Sequence, residues 1–417
     1  MRRFFLIFAA LLAASCGRGG GGFDSGLLRT VPSRSIAVMA FADAGEALKM
    51  LCDSSHIFRQ IDLGRFGSRE MLLSFDYGSA LVPLLALDAG RAGRDTSEAV
   101  RRLLSQAEGL GLFCAYSADT ASHSAAVLLS PSAAAVSEAL FHIESGASVM
   151  DAPGFAEAAA LAEGSKGSIL LRNSAAGHLL PKDLPENIVP RRELVKFLSD
   201  ASEWTAADFD EYSFKNLRIT SYNTGKHNFM RIFEDFDGAG SEIADILPAG
   251  TLFFADLPLD DAEGYYGARK EWLDARSALR RHENACSALK STTGLSPKAW
   301  LAASKPKEIA RIVWEGGSVL ALRFAKAPSA KTLIPNDIQA FPGTVFGKLF
   351  SLPDESAAVR KGKWLIIGSA AEAEAFLALQ KDESFGRFPK KGLKFAIYNE
   401  GALLAGDKKG IKLSIVK

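Results

Sequence analysis

Three stretches of the sequence recur in the same order in its two halves. The first pair shares a proline, two further residues, a hydroxyl residue and then an apolar strand. The pairs are VPSRSIAVMA (31–40) with LPAGTLFFAD (247–256), AAVLLSPSAAAVSEAL (125–140) with KWLIIGSAAEAEAFL (363–377), and GSILLRNSAAG (167–177) with LKFAIYNEGAL (393–403). Chance similarity between apolar strands explains any one pair, but the common order of all three favours an internal duplication.

The chain alternates between strand-like and helix-like patterns along its whole length. Short apolar runs predict strands, and apolar residues at helical spacing predict helices. Hairpins predicted at ARIVWEGGSVLALRF and LLAGDKKGIKLSIV indicate antiparallel pairing, with the helices on one face. The sequence therefore predicts an α+β fold of two diverged, largely antiparallel sheet-plus-helix lobes, residues 31–238 and 246–417, related by the duplication.

Three local predictions are specific enough to be checked one by one. Pro83 pushes its strand toward a sheet edge or a bulge, because proline has no N–H to donate. Thr96 is predicted to be the N-cap of a helix over residues 96–110. The charged stretch at 262–290 is predicted to form one long helix.

The N-terminus has the pattern of a signal segment. The basic residues Arg2 and Arg3 precede an apolar run, Phe4–Ala14, that is too short to span a bilayer. Small residues then lead to Cys16, which resembles the lipobox cysteine of bacterial lipoproteins. That resemblance implies a signal peptide at 1–15, a diacylglycerol and an acyl chain such as palmitate on Cys16, and a Gly-rich tether over residues 16–30. An ordinary secretory signal with a cysteine near its cleavage site is the alternative.

A wider resemblance covers most of the mature chain. The lipobox, the VP and LP phrases, SEWTAADFD (202–210) and the restart ILPAGT (246–251) are similar to an uncharacterised family of Bacteroidota envelope lipoproteins carrying a domain of unknown function. The resemblance implies a two-lobed protein exposed to the periplasm or the cell surface, and it transfers no catalytic residue. In that phylum, an acidic run just after the lipidated cysteine resembles a surface-export signal. This chain has GRGG at Gly17–Gly20 instead. We therefore expect the periplasmic face of the outer membrane, with the cell membrane as the alternative.

Composition and cysteine usage limit the partners and cofactors. Loss of residues 1–15 removes two arginines and leaves a net charge of −1, so a nucleic-acid partner is not expected. The mature chain keeps Cys52, Cys114 and Cys286 besides the lipidated Cys16. Three further cysteines allow at most one internal disulfide, and their apolar neighbours favour buried free thiols. No cofactor and no metal site is predicted, since neither C-x-x-C nor a histidine pair at metal-ligand spacing occurs.

Motifs for catalysis were weighed against structural explanations. Ser287–Lys290 matches the S-x-x-K of penicillin-binding enzymes, but the accompanying motifs come in the wrong order. The acidic loop starting at Asp235 begins like an EF-hand but lacks the carboxylate at its twelfth position. Asp208 and Asp210 share a strand face, a spacing compatible with a glycosidase pair or with a solvated row.

The aromatic residues point to a place for partner binding. All five tryptophans lie at residue 204 or beyond, and most are expected in the core. Trp272 with Tyr265 and Tyr266 is the predicted surface cluster at which a partner would bind.

These observations favour a lipid-anchored, non-enzymatic envelope protein that offers two related lobes as an interaction surface or scaffold. The alternative is an envelope hydrolase or carbohydrate-binding protein acting on glycan or peptidoglycan. That alternative requires Asp208 or Asp210 and the tryptophans to converge in one concave pocket.

Overall fold

The computed structural model describes residues 26–51, 60–77, 80–90, 94–119, 124–179, 191–213, 216–223, 228–325, 340–352, 356–399, 401–407 and 410–415. The signal segment, Cys16 and Cys52 lie outside these residues. The chain divides into two compact units. Unit 1 comprises Met1–Leu184 and Val195–Thr224, and unit 2 comprises Pro185–Leu194 and Gly225–Lys417. No helix in the described ranges has the length and apolar character needed to cross a bilayer.

Unit 1 is built on an antiparallel sheet with the strand order β4-β5-β3-β2-β1-β6-β7-β8. Its strands are β1 (Ala37–Phe41), β2 (Met71–Tyr77), β3 (Leu81–Asp88), β4 (Phe113–Asp119), β5 (Ser124–Ser130), β6 (Gly167–Arg172), β7 (Trp204–Phe209) and β8 (Asn216–Tyr222). Its helices are α1 (Ala44–Leu51), α2 (Arg94–Gly109), α3 (Ala133–Ser145), α4 (Phe155–Ala159), α5 (Ala176–Leu179) and α6 (Arg191–Ala201), the last of which belongs to unit 1 from Val195 onward.

The strands of unit 2 pair antiparallel in the order β12-β13-β11-β10-β9-β14-β15-β16. Its strands are β9 (Thr251–Pro258), β10 (Pro306–Trp314), β11 (Gly317–Phe324), β12 (Ala357–Lys361), β13 (Trp364–Gly368), β14 (Phe395–Asn399), β15 (Ala402–Asp407) and β16 (Gly410–Ile415). Its helices are α7 (Ala262–Ala275), α8 (Leu279–Thr293), α9 (Pro297–Ser304), α10 (Ala340–Phe346) and α11 (Ala370–Ala378). When strands are counted from the first in each unit, the two orders are the same.

The prediction of an α+β fold with a large antiparallel sheet is confirmed, but the helices are not confined to one face. In unit 1, Ala115 packs on the core beneath α3, whereas its neighbour Cys114 points to the opposite face, with its sulfur 3.7 Å from the Leu104 carbonyl oxygen in α2. Successive residues of a strand face opposite sides, so helices cover both faces of this sheet. The continuous apolar runs AVMAF and WLIIG already carry that signal, because a strand covered on both faces needs no polar side.

Pro83 shows how a proline fits inside a sheet. It pairs with Phe75 of β2, while the pairing of β3 with β5 begins only at Leu85. The strand lies between β2 and β5 and is not an edge strand, but at Pro83 it has a ladder partner on one side only, so the missing N–H interrupts no pairing. The prediction that Thr96 caps the next helix is wrong, because α2 begins at Arg94.

The predicted single helix over 262–290 is also wrong. The chain forms α7 and α8, separated at Arg276–Ala278, and Ser277 has a left-handed backbone with φ of 56°. The Ser277 N–H donates to the Asp274 carbonyl, and the Ala278 N–H donates to Leu273, which closes α7. Neither glycine nor proline marks this break in the sequence, so the helical pattern runs through it unaltered.

Candidate functional site: a thiol, imidazole and phenol cluster

The break between α7 and α8 brings three reactive side chains together in unit 2. His282 and Cys286 are four residues apart on α8 and therefore lie on one helix face. Tyr266 lies on α7. In one continuous helix, Tyr266 and His282 would be separated by about 24 Å along the axis, given a rise of about 1.5 Å per residue. The reversal at Ser277 instead puts them in direct contact.

The three side chains form a closed triangle of polar atoms. The Tyr266 hydroxyl oxygen lies 2.9 Å from His282 Nε2 and 3.4 Å from Cys286 Sγ, and Cys286 Sγ lies 3.4 Å from the same Nε2. Tyr266 and His282 are buried, while Cys286 is partly exposed and carries a free thiol. The sulfur is therefore the member of the cluster that solvent or a small molecule can reach.

Burial and neighbouring cations keep the imidazole neutral. Burial, together with the charges of Arg269 and Lys270, lowers the pKa of His282 to about 4. Burial, and contact with Cys286, raises the pKa of Tyr266 above its usual range, so the phenol keeps its proton. Arg269 itself is buried and donates from Nη1 to the Thr344 carbonyl oxygen at 2.9 Å. At neutral pH the cluster thus holds an uncharged imidazole and a phenol beside a fixed positive charge.

The cluster opens into a cavity of about 660 Å³ between α7, α8 and the start of α9. A cavity of this size falls in the range that binds small molecules. Charges of both signs surround its mouth. The wall residues besides the cluster are Glu263, Gly267, Lys270, Glu283, Ser287, Ser296, Pro297, Lys298 and Leu301.

A second, smaller cavity of about 220 Å³ includes the loop that begins like an EF-hand. Asp235 and Asp237 of that loop are exposed, and Ala239 forms an isolated antiparallel bridge with Leu393. The buried Lys394 donates to the Phe233 carbonyl oxygen at 2.6 Å. Within the described part of the chain, no group of three or more histidine, cysteine, aspartate or glutamate side chains is arranged to hold a metal ion.

Asp208 and Asp210 lie in different environments in unit 1. Asp208 on β7 is only 2% exposed, accepts from the Ser168 hydroxyl at 2.6 Å, and has its pKa raised by burial. Asp210 follows the strand and accepts from the backbone and hydroxyl of Ser165, which lower its pKa. Neither aspartate lines the 660 Å³ or the 220 Å³ cavity.

The tryptophans lie mainly inside the two cores, and none lines either cavity. Trp204, Trp300, Trp314 and Trp364 are buried. The convergence of these rings with Asp208 or Asp210 in one pocket, which the alternative of a hydrolase or carbohydrate-binding protein requires, is therefore not found at the two cavities.

The predicted surface cluster of Trp272 with Tyr265 and Tyr266 is not a surface cluster. Both tyrosines are buried, and burial raises the pKa of Tyr265 to about 12. Trp272 is half-buried and packs edge-on against Phe229 at 5.2 Å between ring centroids. Helical spacing placed these residues on one helix, but only the packing of α7 decides which of its faces is covered.

Two further sequence candidates have structural roles here. The Ser287 hydroxyl of the S-x-x-K motif donates to the Glu283 carbonyl oxygen on its own helix at 2.9 Å. Cys114 and Cys286 are free, as expected, but both are partly exposed, so the expectation that they are buried is wrong.

One sequence pattern points to part of the Tyr266, His282 and Cys286 cluster. His282 and Cys286 form an H-x-x-x-C pair at one-turn spacing, which places imidazole and thiol on the same helix face. Tyr266 could not be added from the sequence, because its contact depends on the reversal at Ser277.

Comparison with known proteins adds no family to this description. The chain matches no protein-family model, no curated protein and no solved structure.

Proposed function

We propose that this chain is a lipid-anchored protein of the bacterial envelope, without enzymatic activity of its own, whose two units are diverged copies of one α+β fold that serve as interaction surfaces. The observation that carries the proposal is the common strand order of the two units. Two copies of one fold in a single chain offer two related surfaces for binding partners. Such a pair of surfaces suits a scaffold held near a membrane.

The repeated phrases support the duplication because they fall on equivalent strands and on the same side of each sheet. The first pair aligns Val38 in β1 with Phe254 in β9. Val38 packs in the core with Val136 of α3, and Phe254 packs in the core with Phe376 of α11. The helices α3 and α11 follow β5 and β13, the strands of the second pair of phrases. The two units therefore agree both in strand order and in the sheet face that carries the equivalent helix. Agreement in both supports a duplication more strongly than agreement in strand order alone.

The segments that precede the first strand of each unit are also similar to each other. The same alignment pairs Leu27 and Leu28 with Ile243 and Ala244. All four are buried in their core clusters and lie on short 3-10 helices, Gly26–Thr30 and Ile243–Asp245. An experimental structure in which α3 and α11 cover opposite faces relative to β1 and β9 would contradict the duplication.

The two units differ in the connection between their first and second strands, and also in the one between their sixth and seventh, which is longer in unit 1. The helices α7, α8 and α9 lie between β9 and β10, where unit 1 has a shorter connection that includes α1. The thiol cluster thus belongs to an insertion in the second copy. A connection enlarged in one copy on a shared framework is the pattern expected when a duplicated unit acquires a surface of its own.

The anchor is tested by labelling. Cells expressing the full chain with labelled palmitate should give a labelled protein in the membrane fraction, because the acyl chains partition into the bilayer. The Cys16→Ser variant should take up no label and leave that fraction, whereas the matched Cys114→Ser variant should behave as wild type. Equal labelling of wild type and Cys16→Ser would overturn the anchor.

The interaction role is tested in the same cells. Crosslinking followed by affinity capture should recover a defined envelope protein with the wild-type chain, and less of it with Cys16→Ser, which loses its placement at the membrane. If neither form captures an envelope protein above the level of an unrelated lipoprotein, the scaffold role is wrong.

A further inference from the structure

We propose that Cys286 is a site at which this protein forms mixed disulfides with small-molecule disulfides, in a cavity where the Tyr266 hydroxyl, itself hydrogen-bonded to His282, donates to the sulfur. The inference is independent of the lipid anchor and of the duplication. It rests on the side chains of α7 and α8 and on the cavity beside them.

The first observation is the arrangement of donors around the sulfur. The Tyr266 hydroxyl and His282 Nε2 each lie 3.4 Å from Cys286 Sγ and are 2.9 Å from each other. With both rings neutral, an Nε2–H can donate to the Tyr266 oxygen while the phenol O–H donates to the sulfur. The hydrogen bond from the phenol is strongest when the sulfur carries negative charge, as it does while it attacks a disulfide.

The second observation is the fixed positive charge behind the cluster. Arg269 is buried beside it, and Lys270 lies on the cavity wall. These two cations contribute to the lowered pKa of His282, and they attract a negative charge on the neighbouring sulfur. Cationic surroundings of this kind are where reactive thiolates occur in proteins. Glu263 and Glu283 face the same cavity and oppose the effect in part.

The third observation is access. Cys286 is partly exposed and lies on the wall of the 660 Å³ cavity, which has room for an amino-acid disulfide such as cystine. Cys286 lines a concave surface, which favours a small disulfide over one carried on a protein surface. Lys270 and Lys298 with Glu263 and Glu283 offer partners to the carboxylate and ammonium groups of such a molecule.

The reaction is a thiol–disulfide exchange. The Cys286 proton passes to water in the cavity, and the thiolate attacks one sulfur of the disulfide R–S–S–R. A bond forms between Sγ and that sulfur as the original S–S bond breaks, and the leaving thiolate takes a proton from water. Cys286 is oxidised to the mixed disulfide, one R–S group is reduced to R–SH, and the small disulfide is the only oxidant needed.

Cys114 provides a matched control within the same chain. It is also a partly exposed free thiol, but the side-chain group facing its sulfur is the Glu108 carboxylate, 3.8 Å away. Burial and that carboxylate raise the pKa of the Cys114 thiol. The two cysteines thus have similar access and opposite electrostatics.

The test follows the reaction of the full-length protein with cystine, using peptide mass spectrometry to measure modification of each cysteine over time. We expect Cys286 to react about fivefold faster than Cys114 or more, and the ratio to fall toward one in urea. The Tyr266→Phe variant should slow Cys286 by about threefold to tenfold, since it removes the hydroxyl that donates to the attacking sulfur.

Three controls separate this role from a structural one. Hydrogen exchange in the strands of unit 2 should be unchanged in Tyr266→Phe, which shows that this unit is intact, and the Cys114 rate in unit 1 should also be unchanged. His282→Gln keeps an N–H donor and should retain more of the Cys286 rate than His282→Leu does. If native Cys286 reacts no faster than Cys114, or if Tyr266→Phe leaves its rate unchanged, the proposal is wrong.

Discussion

At the scale of single residues, the most unusual feature is a pair of buried carboxyl groups that share one arginine. Asp256 on β9 and Glu308 on β10 are 2% and 0% exposed, and the Ser241 hydroxyl lies within 2.9 Å of both. Arg323 Nε donates to Glu308. Two buried negative charges beside one cation are costly, so one carboxyl keeps a proton. Burial, and the nearby charge of Glu308, raises the pKa of Asp256 well above its ordinary value of 3.8.

This pair predicts how stability depends on pH. Above about pH 4 the unfolded chain has lost the Asp256 proton while the folded chain keeps it, so the free energy of unfolding should fall as the pH rises through that window. The Asp256→Asn variant needs no proton and should show a smaller fall in urea denaturation measured from about pH 4 to pH 8. Asp245→Asn, an exposed control, should keep the wild-type slope. Equal slopes in all three proteins would show that Asp256 is not the protonated group.

At the scale of elements, the α7–α8 reversal decides where the functional groups lie. Ser277 adopts a left-handed backbone that costs a residue with a Cβ about 1–2 kcal/mol relative to ordinary helical geometry. The reversal persists because α7 and α8 bury Tyr266, His282 and Leu273 against their surroundings. The contact between Tyr266 and Cys286 therefore requires the strained backbone at Ser277.

The strain predicts an unusual response to glycine. Ser277→Gly should raise the free energy of unfolding by about 0.5–1 kcal/mol, since relief of the left-handed strain exceeds the added freedom of the unfolded chain. Ser291→Gly within α8 should lower it by roughly 0.5–1 kcal/mol, because glycine disfavours a helix. Urea denaturation of both variants measures the difference. A loss of stability in Ser277→Gly would mean that the serine itself, not the backbone, holds the reversal.

At the scale of the whole molecule, each unit has a hydrophobic core of its own. Phe155 is fully buried in the core of unit 1, and Phe376 is fully buried in the core of unit 2. The two clusters share no residue. Separate cores are what two domains require, and they allow each unit to open locally without the other.

The two phenylalanines provide a matched test of that independence. Phe155→Ala and Phe376→Ala should each cost about 3–5 kcal/mol of local stability, because each leaves a cavity in a packed core. Hydrogen exchange followed by mass spectrometry should show faster exchange mainly in the strands of the unit that carries the substitution. Equal acceleration across both units in both variants would instead mean that the whole chain unfolds as one cooperative body.

Much of the fold could be predicted from local sequence patterns. The helix at Ala44–Leu51, the hairpin of β4 with β5 and the hairpin of β10 with β11 follow from apolar spacing and turn residues within one short segment. The continuous apolar strands also indicate that helices pack on both faces of the sheet. These features need no information from distant parts of the chain.

The candidate site, by contrast, was decided by tertiary structure. Sequence alone determined that the chain alternates helices with antiparallel strands and that His282 and Cys286 share a helix face, because periodicity and spacing are properties of adjacent residues. Only the folded chain places Tyr266 against them and buries Asp256 with Glu308. Those contacts join residues far apart in sequence, and they depend on a backbone reversal and on packing that no local pattern specifies.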